Sequence, residues 1–296
     1  MKITLQTPAT TANLGPGFDC LGLALDLWNR VHIQRAGRGV YFEIRGEGAD
    51  DLPRDDSNLL WQAMKTVYAQ RGVPLPDGVR ITCENAIPLG SGLGSSAAAV
   101  VAGLLGGNAL LGNPYSPSDL LSMAVTLEGH PDNAAATLWG GLVISAGQHV
   151  RRLEVPVWTL VYVLPAVQLA TREARRVLPA QIPLHDAVTN LGNALLVVEA
   201  LRAGDLTLLR AAMQDTWHQP YRLPLIPGMA AVFDAARRAG AAVALSGAGP
   251  GAVAFCAAER TGQVKQAMLD ALPVPGRAWI LQSTSNGACI AQGDVV

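Results

Sequence analysis

The chain has 296 residues, half of them hydrophobic, and its 22 basic and 23 acidic residues leave a net charge of −1. That length and apolar content supply a sizeable core and two modest domains, which we place at residues 1–150 and 151–296 because polarity rises between Gly147 and Pro156. The balanced charge, without any basic run, argues against nucleic acid or an anionic membrane as a partner.

The N-terminus lacks the apolar stretch of a signal peptide, and the longest apolar run, Ala97 to Gly112, is too short and too glycine-rich to span a membrane. Cys20, Cys83, Cys256 and Cys289 are scattered with no C-x-x-C pair. They are expected as small core residues of a protein of the reducing cytoplasm, not as zinc ligands or a disulfide framework.

In chain order, Ile3 and Leu5 alternate with polar neighbours and predict a strand. A Gly/Pro/Asn loop follows from Pro8 to Asp19, after which LGLALDLWNRVHIQ resumes extended character. VYFEIRG and VRITCEN read as strands flanking a helix in SNLLWQAMKTVYAQRG, where Asn58 is placed to cap. AIPLGSGLGSSAAA reads as a strand end, a glycine loop and a helix start. SPSDLLSMAVTLEG is a further helix, capped by Ser116 or Ser118, and LWGGLVISAG closes the first half as a strand. The second half offers the strand WTLVYVLP and helices around TREARRVL, HDAVTNLGNALLVVEALRAG, DLTLLRAAMQDTW and MAAVFDAARRAG. Strands AAVALSG and GAVAFCA then flank a Gly/Pro turn, followed by the helix TGQVKQAMLDAL and strands RAWILQ and GACIAQ. This order is α+β, with no internal repeat.

The glycine loop is the chemically loaded stretch. Gly90, Gly92 and Gly94 alternate with small residues, so the backbone can take positive φ and approach a ligand closely. Ser95 and Ser96 are helix-capping candidates, and amides converging on a helix N-terminus favour an anion such as a polyphosphate. A Walker A loop is excluded because Lys2, Lys65 and Lys265 are the only lysines, and the G-x-G-x-x-G dinucleotide spacing is absent. A tight turn into a buried helix is the alternative that the loop alone leaves open.

The string from Pro88 to Ala98 resembles the phosphate-binding motif of the GHMP kinases. PATTANLGPGFDCLGLALD (Pro8 to Asp26) and EGHPDN (Glu128 to Asn133) resemble the homoserine kinase branch of that family, and LSGAGP (Leu245 to Pro250) resembles the family's third motif. The resemblance implies a two-domain α+β fold, with an N-terminal half like ribosomal protein S5 domain 2 and a ferredoxin-like C-terminal half. It also implies ATP, Mg²⁺ and a small alcohol, L-homoserine, as the molecules handled, with a homodimer left open.

By that resemblance Pro88, Leu89, Gly90, Ser91, Gly92, Leu93, Gly94, Ser95 and Ser96 bind ATP, and Asn58 lies near adenine. Ser96 and Glu128 are the matching metal positions, and their hard oxygens suit Mg²⁺. Asp132 and Asn133 match the positions that orient the acceptor, whereas on their own they read first as a capping turn whose side chains bond their own backbone. No lysine accompanies them, so no general base is named. For an amino-acid acceptor, Asn13 and Asp19 can receive the ammonium and hydroxyl, while Thr171, Arg175 and Arg222 match the carboxylate positions. Arg172 and Arg176 are left as surface charges. Gly251 departs from the usual Ser or Thr after GAGP, which removes one hydroxyl contact. A kinase for mevalonate or a sugar, or a non-catalytic nucleotide or amino-acid sensor on the same fold, remain the alternatives.

Overall fold

The computed structural model describes residues 2–147 and 149–291. Its first sheet begins with β1 (Lys2–Ala12) and β2 (Leu21–Arg35), a long antiparallel pair. β1 does not break at Pro8. The register passes from Pro8↔Trp28 to Ala9↔Leu25, so the proline sits at a bulge and the strand runs on to a fully buried Ala12. Proline has no amide to lose at such a site, which is why the expected loop starts only at Asn13.

β3 (Gly39–Gly46), α1 (Leu59–Arg71) and β4 (Gly78–Asn85) come next, with β3 parallel to β4 and β4 antiparallel to β2. α2 (Ser95–Leu110) is apolar on all sides and is buried by α1, α3 (Pro117–Glu128) and α4 (Asp132–Trp139). Ser116 caps α3 with a reciprocal Ser116–Asp119 capping box. Gly140 and Gly141, both at positive φ, end α4, so the expected strand starts later, at β5 (Leu142–Ala146), and turns into β6 (His149–Leu153).

The second sheet has order β10-β7-β9-β8, all antiparallel. Its strands are β7 (Thr159–Pro165), β8 (Ala242–Leu245), β9 (Ala252–Phe255) and β10 (Gly276–Gln282). Between β7 and β8 lie α5 (Thr171–Arg176), α6 (Leu184–Ala203), α7 (Leu206–Ala212), α8 (Gln219–Arg222) and α9 (Met229–Arg238), and α10 (Thr261–Asp270) joins β9 to β10. That is the ferredoxin-like strand order the family resemblance implied. β11 (Cys289–Ala291) returns to pair with β1, so the first sheet also holds residues 151–153 and 289–291.

One core joins the two sheets. Leu14, Leu23, Ile87 and Leu93 from the first half pack with Leu160, Tyr162, Val197 and Phe255 from the second. Leu14 and Leu93 are fully buried, so this core pins the loops that carry Asn13 and Gly92 on either side of one cleft. Cys83 and Cys256 are core residues as expected, whereas Cys20 and Cys289 are exposed. Among the described residues no helix is long and apolar enough to cross a membrane.

Candidate active site

Gly90, Gly92 and Gly94 all have positive φ, 59°, 81° and 69°. A Cβ on Gly92 would run into the Ser246 carbonyl, and the Ser246 hydroxyl donates to the Gly92 oxygen at 2.7 Å. The Ser246–Gly251 turn therefore holds the glycine loop from the second half of the chain. Tyr162 adds a second tie, its hydroxyl donating to the Ser91 carbonyl. The same hydroxyl fills the space that a side chain at position 251 would need, which accounts for Gly251.

Gly94, not a serine, is the N-cap of α2, and no side chain caps the helix. Ser95 and Ser96 are its first two residues, a correction to their expected capping role. The first amide to find a helical carbonyl is that of Ala98, bonded to the Gly94 oxygen at 2.9 Å. The amides of Ser95, Ser96 and Ala97 thus open the helix without a carbonyl behind them, a positive end suited to phosphate.

Ser96 donates to Glu128 Oε2 at 2.8 Å. Burial raises the Glu128 pKa, against the opposing pull of Ser96 and His130. Among the described residues no three His, Cys, Asp or Glu side chains gather into a metal cage. A hydroxyl and a carboxylate side by side nonetheless fit Mg²⁺, which takes one or two protein oxygens and completes its shell with phosphate and water.

At the start of α4, Asp132 is 2 % exposed and accepts from the Asn133 amide at 2.8 Å, and His130 Nδ1 lies 2.9 Å from the same oxygen. The Asp132 hydrogen bond holds the His130 pKa above its ordinary value, against burial. Thr10 donates to Asn133 Oδ1 at 2.7 Å, and the Asn133 side-chain nitrogen donates to Asp132 Oδ1 at 3.4 Å, which fixes the amide at the cavity wall. The capping turn and the cavity wall are the same residues.

Glycine loop, α4 and α5 enclose a cavity of about 240 Å³. It brings together Asn13, Asp19, Gly90, Ser91, Gly92, Gly94, Ser95, Ser96, Asp132, Asn133, Thr171, Arg175 and Arg222. Asn13, itself at φ 70°, donates to the Gly247 carbonyl at 2.7 Å and accepts from the Asp19 amide at 2.9 Å. Asp19 is bound at two points by Arg175. Arg222 is 1 % exposed, and burial brings its pKa down to about 10. Arg172 and Arg176 are exposed, as surface charges should be.

A second cavity, of about 310 Å³, shares Gly90, Ser95 and Ser96 with the first and is walled by Val31, Ile44, Leu52, Leu60 and Leu89. Asn58 is part of its lining while capping α1, accepting from the Leu60 amide at 3.0 Å. Phosphate-type donors thus stand between an apolar slot and a charged one. Pro88 and Leu93 line neither cavity. Both are buried, and Leu93 anchors the loop in the core.

Sequence reasoning missed several residues here. Thr10 orients Asn133. Gly247 to Gly249, within the LSGAGP motif that the sequence did single out, line the first cavity. Phe18 stacks on His218 at 5.2 Å and lies under both Arg175 and Arg222. His218 could have been found from its spacing, four residues before Arg222, although only the fold shows that it reaches the Gly15 carbonyl at 2.8 Å.

Comparison with known proteins identifies the family and the fold. The family model for the GHMP kinases N terminal domain matches residues 58–141, and that for GHMP kinases C terminal matches residues 197–273. Homoserine kinase from Moorella thermoacetica is 49 % identical over 258 residues, covering 85 % of this chain and 86 % of the relative. Homoserine kinase from Prochlorococcus marinus MIT 9303 is 44 % identical over 300 residues, covering 97 % and 95 %. The crystal structure of homoserine kinase from Cytophaga hutchinsonii superposes with a TM-score of 0.88 at 34 % identity, covering 98 % of this chain and 97 % of that one. Mevalonate kinase from L. major, at 17 % identity and a TM-score of 0.73 over 95 % and 96 % of the two chains, shares the fold. The chain belongs to the GHMP kinases, a family of ATP-dependent small-molecule kinases, and within them to the homoserine kinases.

Proposed function

We propose that this chain transfers the γ-phosphoryl group of ATP to the side-chain hydroxyl of L-homoserine, giving O-phospho-L-homoserine and ADP on the route to threonine in the cytoplasm. The observation that carries the reading is the cavity shared by an uncapped helix N-terminus and an Asp19–Arg175 pair, donors for phosphate facing groups for an amino acid.

In this reading the apolar slot beside Asn58 takes the adenine, and the amides of Ser95, Ser96 and Ala97 hold the triphosphate. Ser96 and Glu128 would hold Mg²⁺, which when bound neutralises charge on the β and γ oxygens. Asp19 meets the substrate ammonium, and Arg175, Thr171 and Arg222 meet its carboxylate. Asp132 and Asn133 turn the hydroxyl toward the γ-phosphorus. The hydroxyl oxygen forms the new bond to phosphorus as the bond to the bridging oxygen of ADP breaks. Its proton leaves late in a loose transition state, to an oxygen of the transferred phosphoryl group and from there to water, so orientation does more than a strong base.

The test is to offer purified protein Mg-ATP with homoserine, mevalonate, galactose and serine in turn and to measure ADP release. Homoserine alone should drive turnover. Preferred turnover of mevalonate or galactose, or no ATP consumption with any acceptor, would overturn the assignment.

A further inference from the structure

The apolar slot beside the glycine loop has a polar atom in its wall that the protein does not use. Thr7 of β1 stands opposite Asn29 of β2, and Leu5 stands opposite Val31. Residues two apart on a strand share a face, so Thr7 and Asn29 continue the row of Leu5 and Val31, which packs with Leu60 of α1 and Ala102 of α2. Both Thr7 and Asn29 line the slot, whose volume is about 310 Å³. Thr7 is 1 % exposed, and its hydroxyl is buried with no hydrogen-bond partner among the described residues. An unpaired buried hydroxyl costs the fold free energy, which a ligand that bonds it gives back.

Asn29 has a fixed sense. Its Oδ1 accepts from the Ala86 and Ile87 amides at 2.8 and 3.0 Å, and exchanging its oxygen and nitrogen would set a donor against both of them. The side-chain nitrogen is therefore the end left to donate. Other amides of the slot are engaged within the protein: Asn58 accepts from the Leu60 amide and donates to the Pro53 carbonyl at 2.7 Å, and Asn85 donates to the Glu47 carbonyl at 3.2 Å.

We propose that Thr7 determines which base the nucleotide carries, its hydroxyl accepting from the exocyclic 6-amino group of adenine while Asn29 donates to the ring nitrogen beside that group. The assignment rests on the kinase reading above, which puts the base in this slot. An amino donor next to a ring acceptor is what adenine presents, where guanine has a carbonyl oxygen in place of the amino group. A hydroxyl free to accept, beside an amide that can only donate, complements that pair. Val31, Ile44 and Leu60 supply apolar wall for the ring, and Ser95 and Ser96 line the same slot, so a base on Thr7 stays within one ligand of phosphates on the α2 amides. A site built to bond a polar group rejects the analogue that lacks it, because its own buried group is then left unpaired.

Calorimetric titration of the full chain with Mg-ATP and with the Mg complex of purine riboside triphosphate, which lacks only the 6-amino group, tests this without homoserine. Wild type should bind ATP at least about tenfold more tightly than the analogue. Thr7→Val should bind the two within about twofold of each other by losing affinity for ATP, and Thr7→Ser, which keeps the hydroxyl, should keep most of the preference. In the free protein Thr7→Val should melt no lower than wild type, because it removes an unpaired buried group with little change of shape; a hydroxyl that served the fold would lower the melting temperature. Equal binding of both nucleotides by wild type, a preference that survives Thr7→Val, or a Thr7→Val protein that melts lower would each overturn the role of Thr7, while ATP-driven phosphorylation of homoserine by wild type would leave the kinase reading standing. Failure of wild type to bind Mg-ATP at all would overturn both.

Discussion

Arg175 grips Asp19 at two points, Nη1 to Oδ2 at 2.9 Å and Nη2 to Oδ1 at 2.8 Å, across 156 residues of sequence. The two groups proposed for opposite ends of the amino acid are thus bonded to each other. Both side chains are about a third exposed, 38 and 34 %, so the pair adds at most about 1 kcal/mol to the fold. Its value is in position, since each residue holds the other at the cavity wall. Asp19→Asn should leave the melting temperature within about 2 °C. It should raise KM for homoserine by roughly ten- to a hundredfold, the value of a charge-assisted hydrogen bond, with KM for ATP little changed. Steady-state kinetics with each substrate varied checks this, and an unchanged homoserine KM removes Asp19 from the substrate.

Arg222 behaves differently because it is a hub. Its Nε donates to the Ala174 carbonyl at 3.1 Å, and its Nη1 reaches His218 Nδ1 at 3.2 Å and the Gly247 carbonyl at 3.3 Å. A lysine ammonium cannot reproduce that fork. Arg222→Lys should therefore lower stability by about 1–3 kcal/mol, the cost of buried acceptors left unpaired. It should also raise the homoserine KM at least about tenfold, with ATP affinity kept. Thermal melts and kinetics on the same preparation separate the two effects, and a wild-type melting temperature would mean that the buried bonds carry no weight.

What was legible in the sequence follows the same division. The glycine loop announces itself through local chemistry, alternating glycines among small residues. The bare start of α2 does not, since Ser95 and Ser96 read as its caps, and Arg175 stands out from Arg172 and Arg176 only through the family resemblance. Thr10 and Phe18 give no local signal, because their roles arise only when β1 and the loop after it meet α4 and α8 from more than 120 and 200 residues away. The run of β1 past Pro8 was hidden for a related reason. A bulge in β2 absorbs the proline, and that is a property of the pairing and not of either strand alone.

Two loop glycines separate conformation from packing. Gly90 has φ 59° and open space where a Cβ would go, whereas Gly92 has φ 81° and the Ser246 carbonyl in that space. Gly90→Ala therefore meets only the left-handed backbone cost, about 1 kcal/mol. It should weaken ATP binding several-fold at most. Gly92→Ala must also push the Ser246–Gly251 turn away, and it should abolish measurable ATP binding and lower the melting temperature. Calorimetric titration with a non-hydrolysable ATP analogue distinguishes them, and equal losses in the two variants would contradict the packing argument.

His218 and His130 shift in opposite directions, and their pH signatures should oppose. His218 is fully buried, its Nδ1 faces the Arg222 guanidinium and its Nε2 bonds Gly15, and burial brings its pKa down to about 4. The unfolded imidazole binds its proton near pH 6.5, so between about 6.5 and 4 the unfolded state takes up a proton that the folded state refuses. Stability from His218 is therefore complete above pH 6.5 and is lost as pH falls toward 4. His130, raised by its bond to Asp132, does the reverse: its contribution is complete below pH 6.5 and is lost as pH rises through its folded value. Melting temperature against pH should fall less steeply on the acid side in His218→Gln, which keeps a donor for Gly15. His130→Gln should instead flatten the decline above pH 6.5, and an acid limb unchanged in His218→Gln would mean that this imidazole is already charged in the fold.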